Sequence, residues 1–389
     1  MYNIELFSNL WHLVSAVLVF FLGLLIAIFF SRVLKLGEKI TVTIYCYHTF
    51  FSLVYLFYSL SSGGRSDVMG YYVKSELLLP DFKPGTIAVT YFVSYLHQID
   101  LSIFGMFLVF NIFGFIGLAF FYAALKNVTE YSSIGLRRLV LILIFLPSVS
   151  FWSSGLGKDA ISFMAIGLVL YAALNFNKRF VLMMLAIALM LFVRPHIAGM
   201  IVIAIMASIA LKKDIPLMPR LIIGTVGLVI AAVMIPFALD YAGLEADASN
   251  LGSYIDKYQG HNQQGGGSVD ISSMSLPMQM FSYGFRPLPF EARSVAQLLA
   301  SLDNMILFYL LLYGFKVRLS IKNLQLIGNR IFMWWYVGIS WVLLSMTTAN
   351  LGIAIRQKWM FAPILIFLLI SIIAAAQEKT TENNSYDNN

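Results

Sequence analysis

The feature that most restricts the fold of this chain is a series of apolar runs, many of them long enough to cross a lipid bilayer. A membrane-spanning helix needs about 20 predominantly apolar residues, and such runs follow one another from near residue 10 to near residue 376. Only 12% of the residues are charged and 60% are hydrophobic, whereas soluble domains carry about 25% charged residues. We therefore predict an all-α polytopic membrane protein.

We predict about eleven membrane spans, within a range of ten to twelve. They cover residues 10–34, 40–60, 101–125, 139–153, 160–176, 180–193, 197–211, 221–239, 296–315, 331–349 and 359–376. Residues 86–99 are too short to cross and are expected to be re-entrant or interfacial. The spans form one integral-membrane domain, residues 1–376, with outer loops at 61–100 and 240–295. The polar tail, residues 377–389, is expected to be disordered and cytoplasmic.

The positions of Lys and Arg predict an outer N-terminus and an inner C-terminus, because short cytoplasmic loops carry an excess of cations. In this orientation sixteen of the 26 cations fall in inner loops or in the tail. Four others occupy very short outer turns, namely Lys158, Arg194, Arg356 and Lys358. The cations are scattered and do not form the concentrated face that is typical of nucleic-acid binding, so we expect no nucleic-acid partner.

The cations in the short outer turns need a reason, because an ionisable group near hydrocarbon costs about 2.5–3.5 kcal/mol on insertion scales. Either each cation reaches lipid phosphate at headgroup depth, or together they bind an anionic ligand. The turn before Lys158 contains two glycines, and a helix beginning near Asp159 or Ala160 would offer N–H groups that suit phosphate. Asp159 could also simply cap that helix. The spacing is not that of a nucleotide-binding P-loop, and we expect no cofactor.

Arg194 precedes Pro195 and His196 at a break between two apolar runs. Arginine presents a planar fork that fits two phosphate oxygens, so Arg194 and Arg356 are the preferred ligand-binding candidates. His196 could relay a proton near neutral pH, or it could be a hydrogen-bonded structural residue. The five histidines have no metal-ligand spacing, and we expect no metal site.

Two carboxylates are candidates for a general base that deprotonates a sugar hydroxyl. Asp67 lies in the first outer loop beside Tyr71 and could instead belong to an ordinary turn. Glu291 follows an aromatic, proline-spaced run that we expect to be interfacial, and it could instead form a salt bridge with Arg286 or Arg293. The sequence leaves these alternatives open.

Four sequence motifs, together with the acidic and aromatic first outer loop, resemble those of bacterial polysaccharide-assembly membrane proteins. They are PSVSFWSSGLGKD at 147–159, FVRPH at 192–196, FRPLPFEA at 285–292 and IRQK at 355–358. The pattern, from about residue 60 to 365, is most similar to that of Wzy-type O-antigen and exopolysaccharide polymerases. Those proteins often have two long outer loops. Here only the loop at 240–295 is long, and its Gly- and Gln-rich patch at 259–268 is expected to be flexible.

The resemblance implies polymerisation of undecaprenyl-diphosphate-linked repeat units at the outer face of the bacterial cytoplasmic membrane, for an O-antigen, exopolysaccharide or capsule. It implies that Arg194 and Arg356 bind the diphosphate. Further diphosphate contacts are expected from Lys158, Lys358, Arg286 and Asp159, and the proton-transfer candidates are Asp67, Glu291 and His196. The expected partners are the lipid-linked oligosaccharide, membrane lipids, and a chain-length regulator and flippase of the same pathway.

Two alternatives stay open. The first is a GT-C-class glycosyltransferase that adds one sugar from a polyprenyl-phosphate donor. Such enzymes usually carry an acidic pair in the first outer loop, next to the first span, whereas this chain has the single Asp67 after its second span. The second is a transporter or flippase for a lipid-linked saccharide, a class in which internal repeats and charged sites near mid-bilayer are common.

Overall fold

The computed structural model describes residues 5–61, 66–77, 81–211, 269–271, 273–292, 294–321 and 328–387, with isolated positions at 216–229, 324 and 326. Regular structure in these residues is almost entirely helical, as predicted. The helices are α1 Leu10–Val33, α2 Glu38–Ser61, α3 Asp67–Lys74, α4 Thr86–Gln98, α5 Ile103–Thr129, α6 Ile134–Ile144, α7 Pro147–Ser153, α8 Lys158–Ala173, α9 Phe180–Val193, α10 Pro195–Ala210, α11 Leu276–Phe285, α12 Val295–Ser320, α13 Arg330–Thr347, α14 Leu351–Gln357 and α15 Ala362–Asp387. Short 3-10 turns follow α11, at Pro289–Glu291, and α14, at Lys358–Met360.

Six helical segments among the described residues are long and apolar enough to cross a membrane. They are Leu10–Val33, Glu38–Ser61, Ile103–Thr129, Ile134–Ser153, Gln297–Ser320 and Ala362–Thr380. By helix length and composition the chain is therefore a multi-pass membrane protein. The fourth segment combines α6 and α7, and the second of these helices begins at Pro147. Proline suits the first turn of a helix because the N–H that it lacks has no partner there.

The predicted count of eleven spans is not confirmed. Helix α9 has the predicted bounds of 180–193, and α10 corresponds to the predicted span 197–211. These two helices contain only 14 and 16 residues. At 1.5 Å per residue, helices of this length reach about 21–24 Å, less than the roughly 30 Å of a hydrocarbon core. The predicted span 221–239 and the patch at 259–268 fall largely or wholly outside the described residues.

The chain divides into two compact units. The first contains Met1–Lys126, Leu139–Ala172 and Phe180–Pro195. Helix α5 is the most buried candidate span of this unit, because 78% of its most apolar stretch is buried. Gly167 on α8 packs so closely on α5 that a Cβ there would lie 2.4 Å from the carbonyl oxygen of Gly117. Small residues allow such close approach of helices in membranes, where packing replaces the hydrophobic effect between helices.

A buried polar network joins α2, α5 and α7 within this first unit. His48 lies between Asn111 and Ser153, with its Nδ1 2.5 Å from Asn111 Oδ1 and its Nε2 3.0 Å from Ser153 Oγ. The amide of Asn111 donates to Thr49 Oγ1 over 2.8 Å. A buried polar group without a partner costs about 1–3 kcal/mol, so these bonds favour one alignment of the three helices.

The second unit contains Asn127–Arg138, Ala173–Arg179 and His196–Asn389. Helix α15 packs against α12 and α13, and 78% of the most apolar stretch of α15 is buried. The hydroxyl of Tyr336 on α13 donates to the carbonyl oxygen of Met360 over 2.7 Å, just before α15 begins. Trp341 of α13 stacks on Phe361 with ring centroids 5.5 Å apart. These contacts fix the start of α15 against α13.

Two shorter segments compare differently with the sequence predictions. The predicted short segment at 86–99 is helix α4, and its interfacial or re-entrant position remains a prediction. Helix α15 continues to Asp387, and the disorder expected of the tail at 377–389 in the cytoplasm remains a prediction. Once a helix is nucleated, each added residue gains a hydrogen bond at little further cost. The buried start of α15 therefore allows the helix to extend into polar sequence.

Candidate functional site

The first group of charged side chains lies where α8 begins, in the first unit. The helix starts at Lys158, one or two residues before the predicted start near Asp159 or Ala160. The turn before it requires glycine at position 155, because a Cβ there would lie 2.0 Å from Cδ1 of Tyr55. The backbone carbonyl oxygen of Ser154 accepts a hydrogen bond from Ser52 Oγ over 2.9 Å. Helix α2 therefore fixes the path of the chain into α8.

Arg194 connects the end of α9 to the start of α8. Its side chain is 6% exposed and forms an ion pair with Asp159, whose side chain is 15% exposed. Its Nε donates to Ser162 Oγ over 3.1 Å. Among the described residues the third guanidinium nitrogen, Nη1, has no hydrogen-bond partner. Arg194 thus has a structural ion pair and one donor group that can serve a ligand.

Lys158 connects the start of α8 to the start of α4. Its Nζ donates to Thr86 Oγ1 over 3.0 Å. The backbone N–H of Gly85, just before α4, donates to the carbonyl oxygen of Phe192 near the end of α9 over 2.7 Å. The N-termini of two helices therefore meet at the ion pair of Arg194, and helix N-termini carry partial positive charge that attracts anions. We call Lys158, Asp159 and Arg194 the first charged cluster.

Asp67 is exposed at the start of α3, and the hydroxyl of Ser66 caps this helix by accepting from the Met69 N–H. Tyr71 follows Asp67 by four residues, and positions four apart share a helix face. The ring of Tyr71 faces the turn before α8, because a Cβ on Gly157 would lie 3.4 Å from its Cε2. Asp67 is thus exposed one turn before the buried Tyr71, whose ring lies against the turn that leads into the first charged cluster.

A second group of charges lies in the second unit, where α11 ends. Arg286 forms an ion pair with Glu291, with Nη2 2.7 Å from Oε1 and Nε 2.9 Å from the same oxygen. This is one of the two salt bridges that the sequence allowed for Glu291. The other partner, Arg293, lies outside the described residues. The backbone N–H of Leu288 donates to Glu291 Oε2 over 2.8 Å, so both carboxylate oxygens are engaged within the loop.

These contacts determine the ionisation of Glu291. Partial burial acts to raise the pKa of its carboxyl group. The hydrogen bonds from Arg286 and from the Leu288 N–H oppose this effect, and the pKa is lowered overall. Glu291 is therefore ionised at neutral pH and is a poorer proton acceptor than an unperturbed carboxylate.

Lys358 is the most deeply buried cation of the predicted set, with 1% of the residue exposed. Its ammonium group donates to Asn304 Oδ1, and Asn304 Nδ2 donates to the carbonyl oxygen of Pro287 over 3.1 Å. Burial lowers the pKa of Lys358 to about 8, although the nearby Asp303 acts in the opposite direction. Asn304 thus links the loop of Arg286 and Glu291 to Lys358. We call Arg286, Glu291, Asp303, Asn304 and Lys358 the second charged cluster.

The sequence predictions missed Asp303 and Asn304, which are 2% and 0% exposed on α12. A signal was present, since an adjacent acid and amide inside an apolar run mark a candidate functional site. Arg356 is half-buried in the last turn of α14. His196 is half-buried in the first turn of α10 and belongs to the second unit. Within the described residues, no group of three or more His, Cys, Asp or Glu side chains could hold a metal ion.

The predicted site residues thus fall into two sets, one in each unit, and their meeting at one outer face remains a prediction. Comparisons with models of protein families, with curated proteins and with solved structures find no match. The chain is accordingly described as an all-helical protein with six candidate membrane spans among its described residues, and no family is identified.

Proposed function

We propose that this chain polymerises undecaprenyl-diphosphate-linked oligosaccharide repeat units at the outer face of the bacterial cytoplasmic membrane. The observation that carries the proposal is the first charged cluster, in which Arg194 and Lys158 lie beside two helix N-termini. Such an arrangement suits a phosphate group. The resemblance of the four sequence motifs to Wzy-type polymerases supplies the substrate class.

The proposed reaction needs a leaving group, a nucleophile and a proton acceptor. The hydroxyl oxygen of the acceptor sugar forms a bond to the anomeric carbon of the growing chain. The bond from that carbon to the diphosphate oxygen breaks, and the diphosphate leaves with the bonding electrons. Preorganised cations stabilise the negative charge that develops, and we assign this role to Arg194 Nη1 and Lys158. No nucleotide or metal takes part in the proposed step.

Asp67 is the better candidate for the base that accepts the hydroxyl proton. It is exposed on α3, four residues before Tyr71, whose ring lies against the turn that leads into the first charged cluster. Both oxygens of Glu291 are already engaged by Arg286 and Leu288, and its pKa is lowered despite the opposing effect of burial. We therefore propose that Glu291 stabilises the loop that carries Arg286 and Leu288, and we keep His196 as an alternative proton carrier.

A polymerase handles two lipid-linked diphosphates at once, the donor and the acceptor. The first and second charged clusters lie in different units of the described chain. We assign Arg286 and Lys358 of the second cluster, together with Arg356, to the second diphosphate. The proposal includes the eleven-span arrangement with an outer N-terminus, which rests on the distribution of Lys and Arg. A chain-length regulator and a flippase are the expected protein partners.

A transporter of lipid-linked saccharides is the second candidate, because Asp303, Asn304 and Lys358 are buried together. Ionisable groups inside membrane proteins often mark transport pathways. The two candidates differ in their product. A polymerase lengthens the lipid-linked saccharide, whereas a transporter moves it between leaflets unchanged.

The proposal is tested with purified protein in proteoliposomes that contain lipid-linked repeat units extracted from a strain lacking the protein. We expect a ladder of products, and we expect Asp67→Asn to slow its formation by about 100-fold, as for loss of a general base. Asp81→Asn is the matched control, since Asp81 is an exposed acid of the same loop. A single added sugar would favour the GT-C alternative, and unchanged units in the opposite leaflet would favour the transporter. Equal rates for both variants would remove Asp67 from the mechanism.

A further inference from the structure

The second unit contains a cavity of about 770 Å³ that the proposed activity does not use. Its walls come from the connection between α5 and α6, from the last turns of α12, and from α15 between Ile373 and Thr380. Each of these places is the end of a candidate membrane span, since the spans end at Thr129, Ser320 and Thr380. In the predicted arrangement of the spans, the cavity lies at the depth where lipid headgroups meet water.

The lining of the cavity combines one cation, several hydroxyl groups and an apolar wall. Lys316 is exposed on α12, and no carboxylate among the described residues forms an ion pair with it. Ser132 is 5% exposed, and its Oγ has no hydrogen-bond partner within the described part of the chain. Val317 and Ile373 provide apolar surface on the same cavity. A cation, a buried donor and an apolar wall together match a phosphate group that carries hydrocarbon chains.

Aromatic residues support a position at the membrane boundary. Tyr313 lines the cavity and stacks on Tyr309 with ring centroids 5.9 Å apart and an interplanar angle of 8°. Both rings are exposed, at 40% and 62%. Tyrosine is enriched where the bilayer meets water, because its ring is apolar and its hydroxyl is polar. The stacked pair supports a position of this end of α12 in the headgroup region.

The charge around the cavity favours an anion. The same three chain segments carry Arg137, Arg138, Arg318 and Lys379 in addition to Lys316, against Glu130 and Glu378. A basic region at the end of membrane spans attracts anionic lipids, at about 1 kcal/mol per cation near the surface. We propose that this cavity binds the phosphate of an anionic phospholipid, with Lys316 as its charge partner and Ser132 as a hydrogen-bond donor. The cavity lining shares no residue with the two charged clusters, and the proposal does not rest on the polymerase activity.

The experiment measures lipid binding to the purified full-length protein in dodecyl maltoside by native mass spectrometry. Phosphatidylglycerol supplies the lipid phosphate, phosphatidylcholine is the zwitterionic lipid, and inorganic phosphate is the lipid-free source. We expect saturable binding of phosphatidylglycerol, and we expect Lys316→Ala to weaken it about fivefold, which corresponds to the loss of one cation. Arg318→Ala is the matched control because Arg318 is exposed two residues further along α12 and does not line the cavity. Arg318→Ala removes general surface attraction without removing a cavity contact, so it is expected to weaken binding less than Lys316→Ala does.

A second variant fills the cavity without changing its charge. Ala376→Trp places an indole against the apolar wall, and we expect it to reduce phosphatidylglycerol binding while the far-UV circular dichroism is unchanged. Equal losses from Lys316→Ala and Arg318→Ala would indicate general surface attraction and overturn the proposal. Tight binding of inorganic phosphate alone, or equal binding of the two lipids, would also overturn it.

Discussion

Replacing Arg194 tests whether this arginine only holds α8 and α9 together or also binds substrate. Removing one partner of a buried ion pair costs about 3–5 kcal/mol, because the remaining charge is left uncompensated. Asp159 keeps 15% of its side chain exposed, and the N-terminus of α8 stabilises its charge by about 0.3–1 kcal/mol. We therefore expect Arg194→Ala to lower the free energy of unfolding by about 2–4 kcal/mol.

The second substitution separates stability from activity. Asp159→Asn removes the uncompensated charge, so the double variant R194A/D159N is expected to recover at least half of the lost stability. A cycle of the two single variants and the double variant measures the coupling between the two side chains. Unfolding is followed by tryptophan fluorescence during titration with sodium dodecyl sulfate in mixed micelles.

The same variants are also assayed for polymer formation, which tests the function of Arg194. Charge-assisted hydrogen bonds contribute about 1.5–3 kcal/mol, so the double variant should remain folded yet form polymer at least about tenfold more slowly than wild type. Arg194→Lys keeps the charge without the planar fork and should also be impaired. The control is Arg137→Ala, on the exposed face of α6. Normal chain length in a folded double variant would make Arg194 purely structural, and wild-type stability of Arg194→Ala would refute the ion-pair reasoning.

Two further predictions concern the loop of Glu291 and the turn before α8. Burial raises the pKa of Glu291, but the hydrogen bonds from Arg286 and Leu288 lower it overall, so its stabilising effect is complete above the unfolded value of 4.5 and is lost as the pH falls through the lower folded pKa. The stability difference between wild type and Glu291→Gln should therefore shrink below pH 4.5, and a difference that is constant with pH would contradict this. Gly155→Ala should lower the free energy of unfolding by about 1–3 kcal/mol, since its Cβ would lie 2.0 Å from Tyr55. Adding Tyr55→Leu to Gly155→Ala should restore part of the lost free energy of unfolding. An unchanged free energy of unfolding for Gly155→Ala alone would show that the ring of Tyr55 moves away without cost.

Local sequence information predicted the helices better than it predicted their membrane crossing. Phe180–Val193 has the predicted bounds because Lys178 and Arg179 precede it and Arg194 and Pro195 follow it. Polar and proline residues of this kind end an apolar helix at a definite position. Whether a helix of 14 residues crosses a bilayer depends on its neighbours and its tilt, which no single segment encodes.

The charged clusters were predicted only as separate residues. Arg194 and Asp159 lie 35 positions apart, and their pairing depends on how the ends of α8 and α9 approach each other. The contact between Lys358 and Asn304 spans 54 positions. Such pairings arise from tertiary packing, so a single sequence can identify the costly charges but not their partners. The pair of Arg286 and Glu291 is different, because five positions of local chain already bring the two side chains together.

The enclosed position of α15 has a consequence for biosynthesis. Among the described elements of the second unit, α15 is the last to leave the ribosome, yet α12 and α13 both pack against it. Until α15 is inserted into the bilayer, the faces of α12 and α13 that pack against it lack that partner among the described elements. The helices of this unit therefore pack together largely after α15 has been inserted into the bilayer. A chain interrupted before Ala362 would expose those faces to lipid or to membrane quality control.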